Sequence, residues 1–275
     1  MNFLQELKYK FQVQGLLTKI IIINVAVFLT VNLIGNLSHL DLLKYTALPL
    51  DGSQFLFRFW TLFSYMFTHA GLGHLFWNMV LLYFMAQIFF TILSQKKLVY
   101  VYVMSGLSGG ALMLVLGMLF PAQFENALLI GASAAVMGVG AVMAVYAPNY
   151  RVFLFGVFDM AYKYFFLVVF CVNTILDLSV NTGGKISHIG GAFFGLLYGY
   201  YLKQGVDLFK ISIVPQKKSN LKVVSHNRNY SQTFSAKKGE AEQSMDELLD
   251  KISKSGYDSL SKKEKDLLFK LSQKK

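Results

Sequence analysis

The chain has 275 residues, 55% of them hydrophobic and 15% aromatic, with a mean hydropathy of +0.47. An ordinary soluble domain is about 45–50% apolar, so the composition points to a membrane protein. The net charge of +11 is split, 11 Lys/Arg against 6 Asp/Glu over residues 1–203 and 15 against 9 over the last 72. Basic segments beside membrane helices meet anionic lipid headgroups, so a lipid bilayer and not nucleic acid is the expected partner. The single cysteine, Cys171, excludes an intramolecular disulfide and a thiolate zinc site.

Residues 1–17 are too polar to span a bilayer. Phe3, Leu4, Leu7 and Phe11 share one helical face, which predicts an interfacial segment. No short apolar stretch with a small-residue cleavage site follows, so the first apolar run is expected to stay as a membrane helix. Six spanning helices are predicted within a membrane domain covering 18–203, at 18–34, 74–93, 98–120, 131–147, 164–180 and 187–203. Lys8, Lys10, Lys19, Lys96, Lys97, Arg151, Lys163 and Lys203 fall in one set of loops. Lys44, Arg58 and Lys185 fall in the other. Basic residues stay inside, so both termini are expected in the cytoplasm.

The first outer loop, 35–73, is long and carries Phe55, Leu56, Phe57, Phe59, Trp60, Leu62, Phe63 and Phe67, a load that suits the membrane interface. Residues 152–158 on the inner side have the same character. Residues 204–240 read as a polar linker. Residues 241–275 read as a small basic helical cytoplasmic domain with helices at 245–253 and 261–271. Ser261 and Glu264 form a capping-box pair there. The fold class is thus an all-α polytopic membrane protein with a small helical tail, whose partner the sequence does not name.

Polar groups inside spanning helices are costly and mark function. His69, His74 and Asn78 lie before and within the second helix. Ser133 begins the fourth helix and His188 the sixth. These three helices run in the same direction, so their N-terminal ends share one side and depth. A serine hydroxyl needs a base, and neutral histidine is the usual one near neutral pH. His74 and Asn78, four apart, project from one face and can donate to an oxyanion. The small neighbours Gly131, Ala132 and Ala134 let a substrate backbone approach Ser133. Gly191, Gly195 and Gly199, with Ala134 and Gly138 on the fourth helix, form small-residue stripes at spacing four that bring helices together.

Each signal has a plainer reading. A serine among glycines is most often a packing residue, a histidine at a helix end most often interfacial, and a glycine stripe says only that helices touch. His69 and His74 lack an HExxH pattern or an acidic neighbour, so no metal is expected. Asp177 lies on the fifth run, but nothing in the sequence sets it against His188. The weight comes from the combination.

In combination the residues resemble those of the rhomboid proteases. The stretch from Trp60 through His69 and His74 to Asn78 resembles that family's first loop and HxxxN motif. Gly131-Ala132-Ser133-Ala134 is similar to its GxSx motif, and His188 with Gly191 and Gly195 to its HxxGxxxG motif. The resemblance covers about residues 15–205. It implies a six-helix rhomboid bundle and a Ser133–His188 dyad without a required acid. It also implies an oxyanion site of His74, Asn78 and the Ser133 N–H, a floor of Gly131 and Ala132, and support from His69. Three positions depart from the common pattern. Ala134 follows the serine, Met137 stands where an aromatic often stacks on the histidine, and Trp60 is followed by Thr61 instead of arginine.

The expected activity is intramembrane serine endopeptidase hydrolysis, with no cofactor, of transmembrane protein substrates in or near their membrane segments. Access is implied near the fifth helix and residues 180–187. The alternative is an inactive rhomboid-like protein that binds membrane clients. A transporter is disfavoured because its polar groups would gather near the midplane. The helix lengths and inside-basic loops suit a bacterial cytoplasmic membrane.

Overall fold

A backbone without water must close its hydrogen bonds within itself, and the apolar runs do so as helices. The computed structural model describes residues 15–154, 156–175, 182–211 and 247–272. Residues 1–14 of the predicted interfacial segment, Asp177 and most of the linker lie outside them. The chain divides into two units, Met1–Ile213 and Val214–Lys275.

In the first unit the long helices are α1 (Leu16–Leu37), α2 (Leu72–Phe90), α3 (Gln95–Leu119), α4 (Ser133–Tyr146), α5 (Tyr162–Thr174) and α6 (Thr182–Lys203). By length and composition α1, α2 and α3 can each cross a membrane. The apolar helices α4 and α5 are shorter.

Three boundaries correct the sequence reading. The first helix runs past 34 because it changes to a π-helical turn over Leu29–Ile34 and then resumes. The fourth begins at Ser133, not 131, because Gly131 takes φ 114°, outside any helix. The sixth begins at Thr182, not 187. Its first turn, Thr182-Gly-Gly-Lys185, is too polar for hydropathy to register.

The segment between α1 and α2 carries regular structure. It holds short helices at Leu43–Thr46, Gly52–Leu56 and Thr61–Ser64, and a strand β1 (Leu48–Pro49) paired antiparallel with β2 (Leu128–Leu129). The Trp60 indole donates to the Tyr45 carbonyl at 2.9 Å, and Arg58 donates to the Lys44 carbonyl at 2.7 Å. The two bonds tie the segment before α2 to Lys44 and Tyr45. Leu56, Phe57, Phe59 and Trp60 remain exposed, as suits an interfacial surface. Between α4 and α5, β3 (Arg151–Leu154) and β4 (Phe158–Ala161) form a hairpin that exposes Phe153, Val157 and Phe158.

α4 is enclosed, with every residue from Ala134 to Met143 buried. Between apolar helices in lipid the hydrophobic effect offers little, so contact rests on close backbone approach. A Cβ added at Gly191 of α6 would lie 2.0 Å from the Ala134 carbonyl oxygen, and one at Gly195 2.2 Å from that of Gly138. One at Gly109 of α3 would meet both the Ser187 carbonyl and the Ala134 methyl at under 3 Å. Beyond α6, Asp207 pairs with Lys97 at 2.9 Å and accepts from the Tyr198 hydroxyl, tying the chain's exit to the start of α3.

In the second unit, α7 (residues 247–255) and α8 (Lys262–Ser272) form a hairpin that buries Leu248 and Leu260. The Ser261–Glu264 capping box forms, with Ser261 N–H donating to Glu264 at 2.7 Å and Glu264 N–H returning to the Ser261 hydroxyl at 3.4 Å. Lys251 completes the corner by pairing with Glu264 at 2.7 Å.

Gly191→Ala is expected to destabilise the membrane unit by about 1–3 kcal/mol, the cost of overpacking. Gly73→Ala, whose new methyl would meet nothing within 4 Å, should stay within about 0.5 kcal/mol. Unfolding of the purified protein in mixed detergent measures both, and equal stability of the two variants would contradict the close-approach account.

Candidate active site

The segment before α2 and the segment before α4 lie side by side. Tyr65 is fully buried, its hydroxyl donates to the Gly106 carbonyl, and its own carbonyl accepts from Gly131 N–H at 3.0 Å. One residue on, the Ala132 N–H donates to His69 Nε2 at 3.4 Å, while His69 Nδ1 donates to the Phe67 carbonyl at 3.3 Å. The two bonds fix one neutral tautomer. Burial, helped by neighbouring His74, pushes the His69 imidazole down to about 4, so it stays uncharged at neutral pH.

His74, in the first turn of α2, sets its ring edge-on to that of His69 with centroids 4.9 Å apart. Gly131 is the meeting point. A methyl there would lie 2.8 Å from His74 Cε1 and Nε2 and 3.8 Å from the Ser133 hydroxyl. Glycine is required twice over, by the positive φ and by the imidazole that occupies the space. The structure therefore brings the His74 ring and the Ser133 hydroxyl to one backbone position.

Ser133 is the first residue of α4 and is half-buried. Its backbone sits where helix N–H groups are unsatisfied and favour negative charge. Met137, one turn below, is buried in the core. Asn78 is also buried, and its amide donates to the His74 carbonyl at 2.9 Å, which uses one of its two N–H groups.

His188 reaches the same end by register. The contacts of Gly191 with Ala134, Gly195 with Gly138 and Gly199 with Val142 make α4 and α6 parallel. One turn further up, His188 falls level with the Gly131–Ser133 segment. It is buried, and its Nδ1 lies 3.3 Å from Thr174 Oγ1 of α5. The Ser133 hydroxyl makes no hydrogen bond among the described residues. In free enzymes such bonds are often long and tighten only with substrate. Thr174 was not anticipated from sequence. A small hydroxyl in an apolar run was its signal, and its partner lies on another helix.

Among the described residues no three His, Cys, Asp or Glu side chains cluster as metal ligands. What remains is a half-buried hydroxyl at a helix start, with the His74 imidazole near it and His188 at the same end of the neighbouring helix. Apolar helices of membrane length, with polar groups at the N-terminal ends of α2, α4 and α6, suit an integral membrane protein. A family model described as a Rhomboid domain matches residues 56–205, more than half of the chain, and the protein belongs to the rhomboid family, whose members are generally intramembrane serine proteases. Residues 230–274 match a family of unknown function (DUF6576). No curated protein matches the chain.

Gly131→Ala should displace the His74 ring and cut labelling of the protein by a serine-reactive fluorophosphonate by roughly tenfold or more. Gly71→Ala, where a methyl meets nothing within 4 Å, serves as the control. Equal labelling of both variants would mean that Gly131 does not shape a reactive site.

Proposed function

We propose that this protein is an intramembrane serine endopeptidase that hydrolyses peptide bonds in or near transmembrane segments of other membrane proteins. The observation that carries the reading is the parallel glycine register of α4 and α6, which supports a meeting of His188 with the start of α4. In this reading α1 to α6 are six spans, and both termini and the basic tail lie in the cytoplasm of a bacterial cell.

Ser133 Oγ attacks the scissile carbonyl carbon while His188 Nε2 takes its proton. Thr174 beside Nδ1 suits that tautomer, because a hydrogen held on Nδ1 puts the basic lone pair on Nε2. The oxyanion receives N–H donors from Ser133, His74 and the second hydrogen of the Asn78 amide. His188 then returns the proton to the leaving amine, and an acyl group stays on Ser133. Water, activated by the same imidazole, hydrolyses that ester and restores the enzyme. Gly131 and Ala132 line the floor, His69 holds Ala132, and Met137 packs below. No cofactor takes part. An exposed apolar side on α5, with Tyr164, Leu167 and Val168, suits approach of a substrate helix from the lipid.

Purified protein offered a labelled transmembrane substrate should cleave it. Ser133→Ala and His188→Ala should each lose more than about a thousandfold. His74→Ala and Asn78→Ala should each lose roughly tenfold or more. Wild-type rates in either dyad variant would remove the dyad. A wild type that cleaves nothing and takes no serine-reactive probe would favour the client-binding alternative.

A further inference from the structure

α1 holds no residue of the proposed dyad or oxyanion site, yet it touches the site's supporting loop. Its regular winding breaks into a π turn over Leu29–Ile34, a form seen mostly as single turns at functional positions. Asn32 lies in that turn. Its amide donates to the Phe28 carbonyl at 3.0 Å on its own helix and to the His69 carbonyl at 2.8 Å, 37 residues away. Both N–H groups of one side chain are used, so its orientation is fixed.

The chain of contacts continues from His69. Its backbone is held by Asn32 and its Nδ1 by Phe67. Its Nε2 receives the Ala132 N–H next to Ser133, and its ring abuts His74. A bond to the His69 carbonyl therefore limits how far the imidazole can slide along the segment that precedes the nucleophile. A separate path holds the same loop lower down, where the Tyr102 hydroxyl donates to the Met66 carbonyl at 3.1 Å. Loss of Asn32 thus frees the loop at one point without releasing it altogether.

We infer that Asn32 is a positioning residue for the active site. By clamping the His69 carbonyl, it sets the height of the Ala132–Ser133 backbone against His74. The inference rests on the protease reading above. The π turn is the device that brings the amide into place, because an offset of one residue in the helical ladder turns the side chain from the helix's regular progression toward the loop. A cavity of about 480 Å³ lined by Asn32, Asn36, His39 and Ala70 lies alongside, so a substituted side chain has room.

Asn32→Leu removes the donor at similar size. It should lower kcat on a transmembrane substrate by roughly three- to tenfold, the worth of one positioning hydrogen bond, with KM within about twofold. The same substitution in a His69→Ala background should change kcat by less than about twofold, since the clamp then holds nothing that reaches Ala132. Asn32→Asp, which keeps the shape and replaces the donor by an acceptor at pH 8, should fall at least as far and serves if the leucine variant does not fold. Wild-type kcat in either folded variant overturns the inference. So does an equal loss with and without His69, which marks a merely structural role. A wild type that neither cleaves nor takes a serine-reactive probe overturns the protease reading and this inference together. An active wild type matched by Asn32→Leu overturns the inference alone.

Discussion

The contact of Gly191 with the backbone of Ala134 is the constraint on which the site depends. Two helices cannot approach to that distance with any side chain between them, and in lipid there is no hydrophobic push to compensate for a looser fit. The approach recurs at Gly195 and Gly199, so it fixes rotation and height as well as separation. Gly109 of α3 enters the same junction from a third direction. The catalytic geometry proposed for Ser133 and His188 is then a consequence of backbone packing, with no direct bond between the two side chains needed to assemble it.

A second layer holds the segment that leads into Ser133. Gly131 N–H is bound by Tyr65 and Ala132 N–H by His69, while Gly131 itself adopts a conformation that leaves room for His74. The two residues before a helix start are thus fixed by a loop that precedes a different helix. This arrangement explains why the segment between α1 and α2 carries regular structure. Its anchors at Trp60 and Arg58, and the β1–β2 pair, hold the surface on which the Gly131–Ser133 segment rests. Rigid support of this kind is what a reactive group needs when its partners come from separate elements.

Much of this was legible in the sequence. The apolar runs announced helices because a spanning backbone has few alternatives, and the polar residues at their ends stood out against them. The stripe Gly191, Gly195 and Gly199 matched the spacing of Ala134 and Gly138, and that pairing is the one formed. Other features were not legible, for physical reasons. The start of α6 was missed because Thr182–Lys185 is polar, and hydropathy measures burial in lipid, not helical winding. Ser133 as a first helical residue depends on the dihedral angle of Gly131, which composition does not encode. Asn32 and Thr174 act through partners on distant elements, and a lone polar residue in an apolar run does not say which element it will meet. The Ser261–Glu264 cap, by contrast, was readable because both partners are local.

The enclosure of α4 bears on biogenesis. Its 14 residues make a helix of about 21 Å, short of the roughly 30 Å hydrocarbon core. Such a segment is a weak candidate for partitioning into a bilayer alone, and every residue from Ala134 to Met143 is shielded once the bundle is complete. The serine-bearing helix is therefore stable in place only after α3 and α6 have closed around it. A chain still emerging from the insertion machinery has its hydroxyl but not its setting. On the protease reading, the setting that would make Ser133 reactive comes into being only as the bundle closes.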